Sequence, residues 1–103
     1  MRLDMAGNCV YHRGSFIIVK EGRDSFIVVN TSKKFGEINH THLKSFKRGK
    51  DLIDFAITKT IPRHPDQFIL TSLIRISSDK RYIKNLELKK REIIEEYYKN
   101  GGV

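Results

Sequence analysis

The chain has 103 residues, a formal net charge of +8 and a pI near 9.8, which bounds it to one basic domain with one modest core. Its 39% of hydrophobic residues fall in periodic blocks, which excludes a disordered chain, and its longest apolar runs, Phe16–Val19 and Phe26–Val29, exclude a membrane span or signal-peptide core. The single cysteine, Cys9, excludes an internal disulfide and suits a reducing compartment, so a cytoplasmic protein is expected.

Residues 1–8 show no periodicity and are expected to form a disordered tail, leaving residues 9–103 as a single domain. Val10-Tyr11-His12 reads as a short strand and Arg13-Gly14 as a turn. Ser15–Lys20 and Ser25–Asn30 are rich in Phe, Ile and Val and read as strands around the turn Glu21-Gly22-Arg23-Asp24. A four-residue loop pairs Lys20 with Ser25 and Val19 with Phe26. Phe16, Ile18, Ile27 and Val29 then share one face, and Ile17, Val19, Phe26 and Val28 the other. Both faces are apolar, so this hairpin needs cover on both sides, from helices on one and from another helix or another chain on the second.

Thr31 to Thr41 reads as a loop broken by Gly36 and Asn39. A helix is expected from Leu43 to Lys59, with Phe46, Gly49, Ile53, Ala56 and Ile57 on one stripe and Lys44, Lys47, Arg48 and Asp51 opposite. Phe55 falls on the polar side, and Gly49 on the stripe marks a candidate close helix approach. Pro65 is placed at the first position of a second helix, which runs to Ile76 and buries Ile69, Leu70, Leu73, Ile74 and Ile76. Ser78-Asp79 caps a third helix ending near Asn100-Gly101-Gly102, with Tyr82, Ile83, Leu86, Ile93, Ile94 and Tyr97 on one side. At about 20 residues it spans roughly 30 Å, long enough for its far end to overhang the core. The fold class is α+β: an N-terminal antiparallel β-hairpin or three-stranded meander followed by three α-helices.

Charge is unevenly spread. Lys33, Lys34, Lys44, Lys47, Arg48 and Lys50 face a single acid, Glu37, within residues 33–50. Such a surplus suits an anion, above all a nucleic-acid backbone. Cations in the first turns of a helix are repelled by its positive end by roughly 0.3–1 kcal/mol each, a cost that a bound phosphate offsets. Lys50 turns toward the rim of the apolar stripe. Lys89-Lys90-Arg91 is a weaker candidate, because Glu87–Arg91, Arg91–Glu95 and Glu95–Lys99 stand at neutralising helical spacing. The candidate anion-binding residues are therefore Lys33, Lys34, His40, His42, Lys44, Lys47 and Arg48.

His40-Thr41-His42 also has the residue types of a metal site or an acid–base pair for a phosphodiester. Cys9 and His12 complete a four-ligand zinc set only if the first strand runs beside that loop. No Walker loop, dinucleotide fingerprint, nucleophile elbow or paired carboxylates are present. Arg13-Gly14-Ser15-Phe16 departs from the RNA-recognition strand motif, since Ser15 stands where an aromatic stacks on a base. The expected function is a small non-enzymatic nucleic-acid-binding domain without a cofactor. The alternatives are a protein-interaction module acting as a homodimer and a His-based phosphodiesterase or metal site. No membrane partner is expected.

Overall fold

A computed structural model describes residues 8–34 and 36–99. The expected tail, apart from Asn8, and the expected helix end at Asn100 lie outside them. Four strands, β1 (Cys9–Arg13), β2 (Phe16–Gly22), β3 (Ser25–Asn30) and β4 (His40–Leu43), form one antiparallel sheet in the order β1-β2-β3-β4. Three helices follow: α1 (Phe46–Thr58), α2 (Gln67–Ile76) and α3 (Lys80–Lys99). The chain is an α+β fold with its strands first.

The hairpin register differs by one residue from the sequence expectation. Lys20 lies opposite Phe26 and Val19 opposite Ile27, while Gly22 pairs with Ser25 and the ladder shifts between Lys20 and Gly22. The tight turn is therefore Arg23-Asp24, and Glu21 is taken up as a bulge. The slip exchanges partners across the sheet. Phe16, Ile18 and Val28 join the buried residues of all three helices in the main core. Ile17, Val19, Ile27 and Val29 form a separate buried cluster on the opposite face. The sheet thus buries apolar side chains on both faces, while the buried helix residues join only the first.

β4 is the second correction, because it occupies the end of the expected loop and the start of the expected helix. Its residues alternate as a half-buried strand should: Thr41 and Leu43 point into the core, His42 outward. Thr41 donates its hydroxyl to Ser72 of α2 at 3.0 Å, which ties the strand to the helix layer.

Ser45 delays α1 to Phe46 by capping it, its hydroxyl accepting the Arg48 N–H at 3.2 Å. Gly49 sits against the sheet as its place on the stripe implied: a Cβ there would lie 3.0 Å from Ile18 Cδ1 and 3.3 Å from Val28 Cγ2. Leu52 is buried, whereas Ile57 of the expected stripe is exposed and Phe55 packs on the core. α2 begins after Asp66, whose carboxylate accepts the Ile69 N–H at 2.7 Å, so Pro65 precedes the helix rather than starting it. Asp79 caps α3 in the same way through the Tyr82 N–H at 2.8 Å.

Asn30 holds the strand end to the helix layer. It is 2% exposed. Its amide donates to the Ile76 carbonyl at 2.8 Å and the Ser78 hydroxyl at 3.1 Å. Its oxygen accepts from the Ser15 hydroxyl and from the Ser32 N–H and hydroxyl. The α2–α3 connection, Ser77-Ser78-Asp79, is thereby fixed against the end of β3.

Candidate nucleic-acid interface

The turn from β4 into α1 gathers part of the basic segment. His42 faces outward from β4, Lys44 precedes the capping Ser45, and Lys47 and Arg48 occupy the first helical turn. Lys44 is therefore outside the helix, contrary to the sequence expectation. The first turn of α1 contains no acid. Lys47 pairs with Asp51 one turn on, at 3.1 Å, whereas Lys44 and Arg48 form no ion pair among the described residues.

His42, Lys44, Ser45 and Arg48 line one depression of about 470 Å³, and Phe68 of α2 closes its side. Phe68 is 45% exposed. Arg48 and Phe68 also border a smaller hollow of about 240 Å³, lined in addition by Asp51, Leu52, Phe55 and Ile69. The result is an open basic groove with an exposed aromatic ring beside a guanidinium. Phe68 was missed in the sequence because the helix arc Ile69-Leu70-Leu73 draws attention to the buried side. Its signal is that it falls just off that arc.

Lys33 and Lys34 line a different cleft, with Ser32, Glu37, Ser77, Ser78, Lys80 and Ile83. The Lys33 ammonium donates to the Arg75 carbonyl at the end of α2, at 3.2 Å. Of the seven expected residues, His42, Lys44 and Arg48 line the first depression, Lys33 and Lys34 line the second, and His40 and Lys47 line neither. Lys80 was missed at the second, since only the fold brings it beside the Lys33–Lys34 loop.

His40 is half-buried on β4. Its ring contacts His42 edge-to-face with centroids 5.2 Å apart, and its Nδ1 meets the Asn39 side-chain oxygen at 3.1 Å. Burial lowers the His40 pKa below the usual imidazole value, and His42 and Arg75 add to the effect against the opposing Glu21. His42 Nδ1 lies 3.2 Å from Glu21 Oε1. Cys9 and His12 are on β1, at the opposite edge of the sheet from β4, so the four-ligand set does not assemble. Among the described residues no three His, Cys, Asp or Glu side chains are placed to hold a metal ion.

On α3, Lys89 approaches Glu92 at 3.9 Å. The expected Glu87–Arg91, Arg91–Glu95 and Glu95–Lys99 pairs do not close to 4 Å among the described residues. Lys50 lies over the rings of Tyr11 and Phe46, at 5.6 and 5.5 Å from their centroids, which accounts for it outside the groove. No described helix is long and apolar enough to cross a membrane.

The site and fold together define a small α+β domain with a basic, aromatic-edged groove at a helix N-terminus. Comparison with known protein families, with curated proteins and with solved structures finds no match.

Proposed function

We propose that this protein binds a nucleic-acid strand through the groove at the start of α1, without catalysing a reaction on it. The observation that carries the reading is the joint lining of one groove by Lys44, Arg48 and the exposed ring of Phe68. Cations without ion-pair partners among the described residues supply the phosphate attraction that dominates such affinity. The first N–H groups of α1, with no acid in that turn, add to the positive field. An exposed aromatic ring gives a base a surface to stack on, which sequence-tolerant strand binding uses.

The test is fluorescence anisotropy with a labelled single-stranded oligonucleotide at low salt. The reading predicts saturable binding that weakens about tenfold in Phe68→Ala, in line with the stacking contribution of one base. Absence of binding at low salt, or an unchanged affinity in Phe68→Ala, contradicts it.

Self-association is a second reading, favoured by Tyr97 and Tyr98 near the end of α3. They are 54% and 70% exposed and touch each other edge-to-face at 5.6 Å. A dimer mass at high concentration that falls to a monomer in Tyr97→Ser plus Tyr98→Ser supports it. A monomer at every concentration removes it.

A further inference from the structure

The cleft beside Lys33 and Lys34 has features that solubility alone does not explain. Ser32, Ser77 and Ser78 form a wall that it shares with a second depression, on the Lys59 side, of about 560 Å³. The Lys33–Lys34 side measures about 430 Å³. Ser77 is 3% exposed and lies in both linings, and its buried hydroxyl has no hydrogen-bond partner among the described residues. A buried hydroxyl left unpaired keeps its full desolvation penalty, and such an orphan calls for a specific explanation.

The neighbouring hydroxyls can be assigned from the Asn30 network. Ser32 donates its proton to the Asn30 oxygen. Ser78 accepts from the Asn30 amide, so its own proton remains to be given. Ser77 and Ser78 are therefore two adjacent hydroxyl donors. They immediately precede Asp79 and the first turn of α3, whose first residue, Lys80, lines the same cleft. The Lys80 N–H carries none of the described hydrogen bonds. Asp79 lines the other depression and is paired with Lys59 at 3.3 Å. The Tyr82 N–H, with Lys59, keeps its carboxyl below the usual carboxylate range. Its charge is thus already balanced away from this cleft. Glu37 is the one acid among the described lining residues, and it accepts the Lys34 N–H at 2.8 Å. Lys33, Lys34 and Lys80 line the same cleft.

We infer that the cleft at the start of α3 is a second anion site that takes the phosphate of a phosphomonoester, with Ser77, Ser78 and Lys80 as donors and Lys33 and Lys34 as its flanking charges. A tetrahedral dianion matches hydroxyl donors, a helix N-terminal N–H and ammonium groups. The site is separate from the α1 groove, so it stands or falls independently of strand binding there.

The experiment titrates the full chain with inorganic phosphate at constant ionic strength and follows the amide chemical shifts of residues 77–83. Saturable shifts in the millimolar range are expected. Ser77→Ala and Lys80→Gln should each weaken binding about tenfold, the effect of losing one hydrogen bond or charge contact to an ionised group. Lys20→Gln, an equal change of charge on β2, should leave it unaltered. In phosphate-free buffer Ser77→Ala should be at least as stable as the parent chain, because it removes an unpaired hydroxyl; phosphate should then raise the melting temperature of the parent more than that of the variant. A second arm compares an oligonucleotide carrying a 5′-phosphate with its 5′-hydroxyl counterpart. Movement of the same amides by the 5′-phosphate form alone assigns the group to a nucleic-acid end, and a response to inorganic phosphate alone assigns it to a small phosphorylated compound. Immobile amides in both arms, or equal affinity in the parent and Ser77→Ala, overturn the inference.

Discussion

Replacing Asn30 with alanine should be among the most damaging single changes to this fold. The substitution deletes five hydrogen bonds. Those from the Ser15 and Ser32 hydroxyls can be regained from water, since these groups are part-buried or exposed. The Ile76 carbonyl differs: its bond to Asn30 is a buried one at the end of α2, so its loss leaves a desolvated acceptor. One such orphan costs about 1–3 kcal/mol and each remaining bond about 0.5–1.5 kcal/mol at most, with partial recovery by water. The expected loss is about 3 kcal/mol. Equilibrium urea unfolding reads it as a midpoint lowered by about 1–3 M with an unchanged slope. Ser15→Ala removes only one bond to the same oxygen and should cost no more than about 1 kcal/mol. If Asn30→Ala loses less than Ser15→Ala, the assigned role of Asn30 as the tie between β3 and the α2–α3 connection is wrong.

Two other predictions concern packing and pH. Gly49→Val places a branched side chain against Ile18 and Val28, where even a Cβ is already tight, and should cost about 1–3 kcal/mol in urea unfolding; an unchanged stability would mean that α1 does not approach the sheet this closely. The lowered His40 pKa means that the folded state binds that proton less readily than the unfolded state. Stability from this group is present above the ordinary imidazole pKa and is lost as pH falls toward the lowered value. The parent chain should therefore lose more stability between neutral pH and mild acid than His40→Gln, as measured by denaturant midpoints; equal losses would contradict the burial of the His40 ring.

The sequence made β2 and β3 legible because runs of Phe, Ile and Val between turn residues fit little else. It did not set their register, because a bulge at Glu21 and a longer loop use the same residues. β4 was hidden for a different reason: at four residues, with histidines at alternate positions, its pattern is too short to compete with the helix that follows. Helix existence was readable from the apolar arcs, while the first two starts moved by three and two residues, to Phe46 and Gln67 behind the capping Ser45 and Asp66. At the site, Lys44, Lys47 and Arg48 were visible as a local excess of charge. Phe68 and Lys80 were not, since each reaches its basic neighbours only through the packing of α2 and α3 on the rest of the fold. The separation of Lys33 and Lys34 from the α1 groove is likewise a tertiary fact that neighbouring positions in the chain conceal.

The salt dependence of strand binding tests the central claim most directly. Each cation that neutralises a phosphate of a single strand contributes about 0.7 to the slope of log affinity against log salt. Lys44 and Arg48 line the same groove without ion-pair partners among the described residues, so Lys44→Gln plus Arg48→Gln should weaken binding at low salt and flatten the slope by about 1.4. An oligonucleotide affinity whose magnitude and salt slope are the same in the parent and the double variant would contradict a phosphate-binding groove at the start of α1.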